Sequence, residues 1–299
     1  MKDRVLFRPG HTACAGCGQS LAARLVLEAA GPNTIVTNNT GCLEVFSTKY
    51  PESAWGVPWI HSLFENAAAV ASGIESALVY LGKKEGINVI AQAGDGGTAD
   101  IGLQALSGMW ERGHDILYCC YDNEAYMNTG IQRSGLTPFN SATTTSPAGT
   151  QSFGNIRPKK PMPEIALAHG IPYVATASAG FGQDLQRKVK KAFSIKGPKY
   201  LQIHVPCPLG WRHEPNLTLQ VAKCAVETGL YPLIEFEGGV LVSRRQITPK
   251  PVEEYLKMQG RFKHLLNAPE EIKKIQEIAD NNIKKYGLKV ENTTTTEKS

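Results

Sequence analysis

The sequence predicts an α/β protein, a mostly parallel sheet flanked by helices, with a helical C-terminal arm. Two segments repeat a strand–helix–strand pattern, short apolar runs bounded by turn residues with a helical stretch between them. A third observation is the change of character after Thr248, where the chain becomes charged and helix-forming. In the first unit, Asn88 to Gly130, the apolar run Val89–Ala93 stops at Gly94-Asp95-Gly96-Gly97. A helical pattern follows with Ile101, Ala105 and Met109 on one face, and a second run, Ile116–Tyr121, stops at Asp122-Asn123. In the second unit Tyr173–Ala177 reads as a strand, Gln183–Phe193 as a helix and Tyr200–Val205 as a strand ending at Pro206-Cys207.

The remaining elements follow in order. Residues 1–18 read as a loop leading to a helix over Gln19–Ala30, stopped by Gly31-Pro32. Ile35-Val36 begins a short strand that ends in the polar turn Asn38–Gly41, so Cys42 falls at a strand end. Phe46 to Phe64, with Trp55, Trp59 and several prolines, reads as an irregular loop. Asn66–Leu81 is an alanine-rich helix whose small residues suit close packing. Gly130–Pro158 has no sustained apolar period; a compact domain seldom keeps so long a loop without a use, so it is expected to wrap a cofactor or a partner subunit. Glu253–Leu266 and Pro269–Tyr286 read as helices with thin apolar stripes, and Asn292–Ser299 as a disordered tail. The expected division is an α/β domain over residues 1–248 and an arm with a polar tail over 249–299, the arm lying on another subunit or on the domain surface.

At 299 residues the chain is long enough to bury a full α/β core. The net charge of +5 is modest and spread out, and no aromatic-plus-basic platform accompanies it, which excludes nucleic acid as an expected partner. No run of apolar residues is long enough to span a membrane. The N-terminal stretch has no apolar signal core, so a cytoplasmic location is expected.

Asp95 and Asn123 are 28 positions apart, close to the roughly 30 residues that one strand–helix–strand unit takes. A right-handed crossover then places both at the carboxyl edge of the sheet, where open α/β sheets bind ligands. One carboxylate and one amide oxygen suit Mg²⁺, which leaves its other positions to phosphates and water. The glycines at 94, 96 and 97 let a diphosphate approach the backbone. The pattern resembles the thiamine diphosphate signature, Gly-Asp-Gly followed just under thirty residues later by Asn; here Asp122-Asn123 replaces the usual Asn pair. A Rossmann reading is weaker, because Gly94-x-Gly96-Gly97 lacks the full dinucleotide fingerprint.

Seven cysteines in such a chain read as ligands or buried thiols rather than as a disulfide framework. Cys14 and Cys17 form one C-x-x-C knuckle; Cys42 and Cys207 fall at turns or strand ends. Cys119 and Cys120 lie within an apolar run and Cys224 in a helical pattern, and these three read as core thiols. One knuckle plus two remote ligands suits a cubane iron–sulfur cluster and a structural zinc about equally on spacing.

Five runs occur in order: Gly10-His11-Thr12-Ala13-Cys14-Ala15-Gly16-Cys17-Gly18, Thr40-Gly41-Cys42, Ala93 to Gly102, Asp122 to Gly130 and Cys207-Pro208. Together they resemble the β subunits of the pyruvate:ferredoxin oxidoreductase (2-oxoacid:ferredoxin oxidoreductase) family over nearly the whole chain, and Pro251–Leu265 is similar to that family's C-terminal arm. The resemblance implies a thiamine diphosphate-binding fold. It implies Cys14, Cys17, Cys42 and Cys207 as ligands of a 4Fe–4S cluster, and Asp95, Asn123 and the Ala125 carbonyl as ligands of Mg²⁺. It implies Gly94, Gly96, Gly97 and Cys42 as cofactor neighbours, and Asn128 as the residue that approaches the thiazolium and the substrate.

The implied reaction is CoA-dependent oxidative decarboxylation of a 2-oxoacid to acyl-CoA and CO₂, or its reverse, through a thiamine-bound radical and the cluster. The implied partners are an α subunit that carries the activating glutamate and substrate pocket, γ and δ subunits or fused equivalents, ferredoxin and coenzyme A. Pyruvate is the expected substrate; oxalate or a branched-chain 2-oxoacid is the alternative. Two further readings are a non-redox thiamine enzyme whose cysteines hold structural zinc, and a non-catalytic scaffold subunit.

Overall fold

The computed structural model describes residues 5–290; the polar tail expected over 292–299 lies outside them. The chain opens with α1 (Gly18–Ala30), β1 (Thr34–Asn38), α2 (Cys42–Ser47), β2 (Trp59–His61) and α3 (Ala67–Tyr80). β3 (Asn88–Gly94), α4 (Asp95–Ala99), α5 (Leu103–Glu111) and β4 (Leu117–Asp122) form the first crossover. After a long loop come α6 (Met162–Ala168), β5 (Tyr173–Ser178), α7 (Gly182–Ser194) and β6 (Lys199–His204). The last third holds α8 (Pro208–Trp211), α9 (Thr218–Glu227), the hairpin β7 (Ile234–Glu237) and β8 (Val240–Arg244), then α10 (Val252–Lys257) and α11 (Pro269–Tyr286).

The eight strands form one sheet in the order β2-β1-β3-β4-β6-β5-β7-β8. The first six are parallel, and β7 and β8 extend it antiparallel. Helices cover both faces, as a buried parallel sheet requires. Central β4 shows the alternation directly. Leu117, Cys119 and Tyr121 join the core under α1 and α7, whereas Tyr118 and Cys120 join the core under α3, α5 and α6. Ala67, Ala68 and Ala71 of α3 are fully buried, so the small residues do bring that helix close to the sheet.

Several sequence expectations change. The helix after β3 is broken in two, with a turn at residues 100–102. Ile101 sits in that turn and is 50% exposed; the buried face of α5 is Leu106, Met109 and Trp110. The stretch 46–64 is not all irregular, because Trp59–His61 pairs with β1 as an edge strand. The β7–β8 hairpin was not foreseen; β8 alternates between exposed and half-buried residues and has no continuous apolar run to mark it. The loop 130–158 forms no helix or strand but is packed, with Leu136, Thr137, Asn140, Ser141 and Asn155 buried. Residues from Ile247 onward share a third core with Trp211 and α9, through Val252, Tyr255, Phe262, Leu265 and Ile275. No helix among the described residues is long and apolar enough to cross a membrane.

Candidate active site

The parallel strands place their carboxyl ends level. Asn38 pairs with Gln92, Gly94 with Tyr121, and Asp122 with His204. The chain leaving β1 therefore reaches Cys42, that leaving β3 reaches Asp95, that leaving β4 reaches Asn123, and that leaving β6 reaches Cys207, all at one edge. A cavity of about 110 Å³ opens there, lined by Asn39, Thr40, Cys42, Asp95, Asn123, Ala125, Tyr126 and Asn128.

Asp95, Asn123 and Ala125 meet. The Asn123 amide has two settings with the same spacings. With nitrogen inward it donates to Ala125 O (2.9 Å) and Asp95 Oδ1 (3.0 Å), and the clamp closes on itself. With oxygen inward the three groups form a triangle of acceptors. An octahedron with 2.0–2.1 Å bonds has edges of about 2.8–3.0 Å, so these spacings suit Mg²⁺.

The surroundings hold that geometry. Asp95 is buried, and the Ser134 hydroxyl donates to its other oxygen. Burial pushes the Asp95 carboxyl well up, and neighbouring Asp122 adds to the shift. A cation beside it would reverse that preference. Asn39, at the end of β1, accepts from Ala67 N (2.7 Å) and donates to Gly97 O (3.1 Å), fixing the turn after β3. Glu124, between the two clamp residues of the β4 loop, has φ +69°, the left-handed region that non-glycine residues seldom adopt. Its carbonyl accepts from Thr137 Oγ1 at 2.8 Å.

Beneath the clamp lies a buried charge network. Lys159 Nζ bonds Asp122 Oδ2 (2.8 Å) and Glu124 Oε1 (2.7 Å), and Arg261 Nη2 bonds Glu124 Oε2 (2.5 Å). Burial alone would raise the Glu124 carboxyl, but Lys159 and Arg261 hold it down to about 2. His204 is fully buried, and desolvation lowers it to about 3, so it is neutral. Lys159 and Arg261 thus neutralise Asp122 and Glu124, and among the described residues Asp95, facing the cavity, has no ion pair of its own. A larger cavity, about 320 Å³, lies on the far side of Glu124 under α11 and contains neither the clamp nor any of the four candidate ligand thiols. Size does not identify the site; the chemistry does.

Cys14, Cys17, Cys42 and Cys207 border the same edge. Cys17 N donates to Cys14 O (3.1 Å) in the knuckle, and Gly18 N donates to Pro206 O (3.1 Å), which ties the knuckle to the Cys207 turn. Gly16 is required there, since at φ +71° an added Cβ would stand 2.4 Å from Pro215 O. Cys207 Sγ accepts from Gly210 N at 3.4 Å. Burial, then Cys207, Cys17 and Cys14, push the Cys42 thiol up to about 12. Burial and the knuckle thiols push Cys207 up to about 11, against the Gly210 N–H. Among the described residues, no three His, Cys, Asp or Glu side chains are grouped to hold a single metal ion. Cys207, Cys17 and Cys14 lie near enough to Cys42 to add to the upward shift of its thiol. Cys119 and Cys120 are buried within β4 and Cys224 within α9, apart from this group.

Asn128 is exposed at the lip of the cavity. Sequence reasoning missed Asn39, Ser134, Lys159 and Arg261. Asn39 was legible as a polar residue ending a strand. Ser134 and Lys159 come from the aperiodic loop and its sequel, and Arg261 from a charged arm that reads as solvated; no local signal marks them.

A family model, thiamine pyrophosphate enzyme, C-terminal TPP binding domain, matches residues 15–203. Pyruvate synthase subunit PorB of Methanosarcina barkeri is 60% identical over 289 residues, covering 95% of this chain and 98% of that one. Ketoisovalerate oxidoreductase subunit VorB of Pyrococcus abyssi is 50% identical over 266 residues, covering 87% of this chain and 86% of that one. Among solved structures, a chain of 2-oxoglutarate:ferredoxin oxidoreductase from Magnetococcus marinus superposes with a TM-score of 0.56 at 22% identity, covering 71% of this chain and 77% of that one, a likeness of fold. The sheet edge, its clamp and these likenesses agree: the chain belongs to the pyruvate synthase subunit PorB family, on the thiamine pyrophosphate-binding fold.

Proposed function

We propose that this chain is the β subunit of a cytoplasmic 2-oxoacid:ferredoxin oxidoreductase acting on pyruvate, with CoA-dependent oxidative decarboxylation to acyl-CoA and CO₂, or the reverse. The observation that carries the reading is the juxtaposition at one sheet edge of the Asp95–Asn123–Ala125 clamp with Cys42, whose thiol Cys207, Cys17 and Cys14 help to push up. Asp95, Asn123 and the Ala125 carbonyl would hold Mg²⁺, and Gly94, Gly96 and Gly97 would let the diphosphate of thiamine diphosphate lie against the backbone. Cys14, Cys17, Cys42 and Cys207 would hold a 4Fe–4S cluster, whose iron supplies the charge that thiols raised to about 11 and 12 need in order to ionise. When bound, the thiamine group supplies the nucleophilic carbon and electron sink for loss of CO₂, and the cluster supplies one-electron transfer.

The chain's own residues bind and orient. Asn39 and Ser134 fix the clamp, and Asn128 at the lip would present its amide to a substrate carbonyl. Among the described residues no carboxylate other than Asp95 lines the cavity; the carboxylate that activates the aminopyrimidine would come from the α subunit that the resemblance implies. γ and δ subunits, or fused equivalents, would carry electrons on to ferredoxin.

The test is anaerobic analysis of the purified complex, with turnover on pyruvate, 2-oxoisovalerate, 2-oxoglutarate and oxalate. Iron, magnesium and thiamine diphosphate bound at this subunit, with pyruvate turned over fastest, are expected. Stoichiometric zinc without iron in this subunit would sink the redox reading, and negligible pyruvate activity beside strong oxalate activity would sink the substrate. 2-Oxoisovalerate is the second reading, favoured by the identity to a ketoisovalerate enzyme subunit.

A further inference from the structure

We infer that Arg261, in the C-terminal arm, is a positioning residue for the metal–diphosphate clamp, acting through Glu124. The inference rests on the clamp reading above and adds the arm to the cofactor site. Asn123 and Ala125 are the β4-loop members of the clamp, and the residue between them, Glu124, is left-handed at φ +69°. Such a conformation persists only where surrounding structure over-determines it. Here Thr137 Oγ1 holds the carbonyl (2.8 Å) and two cations hold the side chain. Glu124 is buried with one oxygen on Lys159 (2.7 Å) and the other on Arg261 (2.5 Å).

Arg261 reaches the same loop by a second route. Its guanidinium lies 3.8 Å over the Trp211 ring, and Trp211 Nε1 donates to the Asn123 carbonyl at 2.8 Å. The side chain is itself fixed, donating from Nε to Gln259 Oε1 (2.9 Å) and from Nη2 to the Tyr255 hydroxyl (3.2 Å). Its carbonyl accepts from Ala142 N (3.0 Å), in the long loop whose Ser134 bonds Asp95. One arm residue therefore braces Glu124, the Asn123 backbone before it and also the loop behind Asp95. A guanidinium suits this place because it is planar and keeps its charge when buried, so it can stack on Trp211 and bond Glu124 at once.

A structural role alone predicts a different pattern from a positioning role, and a double variant separates them. In the whole complex stripped of cofactor, Arg261→Met is expected to weaken Mg²⁺-dependent thiamine diphosphate binding by about 10–100-fold, the usual effect of losing a group that orients metal ligands. It should also lower the melting temperature, because it leaves Glu124 with a single cation. Adding Glu124→Gln removes that buried charge, so the melting temperature should recover in part while cofactor affinity stays low. Affinity unchanged in Arg261→Met, or restored together with the melting temperature in the double variant, overturns the inference. Should Arg261→Met fail to assemble, Arg261→Lys carries the test. It keeps the charge but not the stacked fork, and an affinity equal to wild type would count against positioning. Asp95→Asn is the control. If it retains full Mg²⁺ dependence, the clamp reading itself fails; if it loses affinity while Arg261→Met does not, only the role of Arg261 fails.

Discussion

A Cβ added to Gly96 would stand 2.2 Å from Cε1 of Tyr126, whose ring lies against the turn that follows β3. The ring is not free to step aside. Its hydroxyl donates to Asp100 Oδ2 (2.9 Å), and its backbone N–H donates to Gln132 O (2.9 Å). The second glycine of the Gly-Asp-Gly run, Gly96, is thus needed for close approach of a side chain from the β4 loop as well as for the proposed diphosphate. Gly96→Ala should force the two loops apart, an overpacking cost of about 1–3 kcal/mol, and so weaken thiamine diphosphate binding at least several-fold. In a Tyr126→Ala background the same substitution should cost much less. Equal effects in both backgrounds, measured by cofactor titration, would show that the ring does not set the requirement.

Ser134 gives a second prediction. Its hydroxyl donates to Asp95 Oδ2, and it takes Leu136 N as a donor at 3.2 Å. Ser134→Ala leaves Asp95 its charge but removes its orienting partner. Mg²⁺ affinity is expected to fall about 10–100-fold with the fold intact by circular dichroism. Unchanged affinity would mean that the long loop packs behind the clamp without orienting it.

The sequence made the clamp legible because its logic is local. Strand, turn, helix, strand is a pattern of period and punctuation, and it places Asp95 and Asn123 at one edge whatever packs around them. Cys42 and Cys207 were legible for the same reason. What failed was longer in range. The face of the helix after β3 was misjudged at Ile101 because Gly102 breaks the helix; an added Cβ there would stand 2.0 Å from Gly97 O, a close approach that no periodicity shows. Lys159 and Arg261 look like solvent-facing charges in sequence. They are buried or half-buried only because three carboxylates, Asp95, Asp122 and Glu124, converge from elsewhere. Pairing across 35 and 37 positions for Lys159 and across 137 for Arg261 leaves no trace in composition or spacing.

The two classes of cysteine should separate in the assembled enzyme. Cys42→Ser is expected to strip iron and visible absorbance from this subunit while thiamine diphosphate still binds, because the clamp does not use the thiol. Cys119→Ser should leave the iron in place, since Cys119 is buried under α1 and α7 away from the edge. Its cost is to stability, about 1–3 kcal/mol for a hydroxyl introduced into an apolar core. Iron lost equally in both variants would point to general unfolding rather than to ligation by Cys42.

Glu235 tests how the antiparallel edge is held. It lies on β7, buried, and bonds Lys191 (2.6 Å) and Arg187 (3.1 Å) of α7 and the Tyr173 hydroxyl (3.0 Å) of β5. Burial works to raise its carboxyl, but Lys191, Arg187 and Tyr173 outweigh it and hold the group below its ordinary 4.5. Lys191 is pushed upward by Glu235 and Glu237, and Arg187 by Asp184 and Glu235, so neither loses its charge near neutrality. The sign follows. A folded value below the unfolded one stabilises the protein fully above about pH 4.5, and that contribution disappears as pH falls through the folded value. Because Lys191 and Arg187 keep much contact with solvent, Glu235→Gln should cost about 1–2 kcal/mol at pH 7. That is a drop in melting temperature of roughly 2–8 °C. On acidification the gap between wild type and variant should close, since the protonated glutamate then resembles the amide. Thermal melts from pH 7 down through about pH 3 check this. A gap of constant size across that range would show that Glu235 contributes by shape rather than by charge.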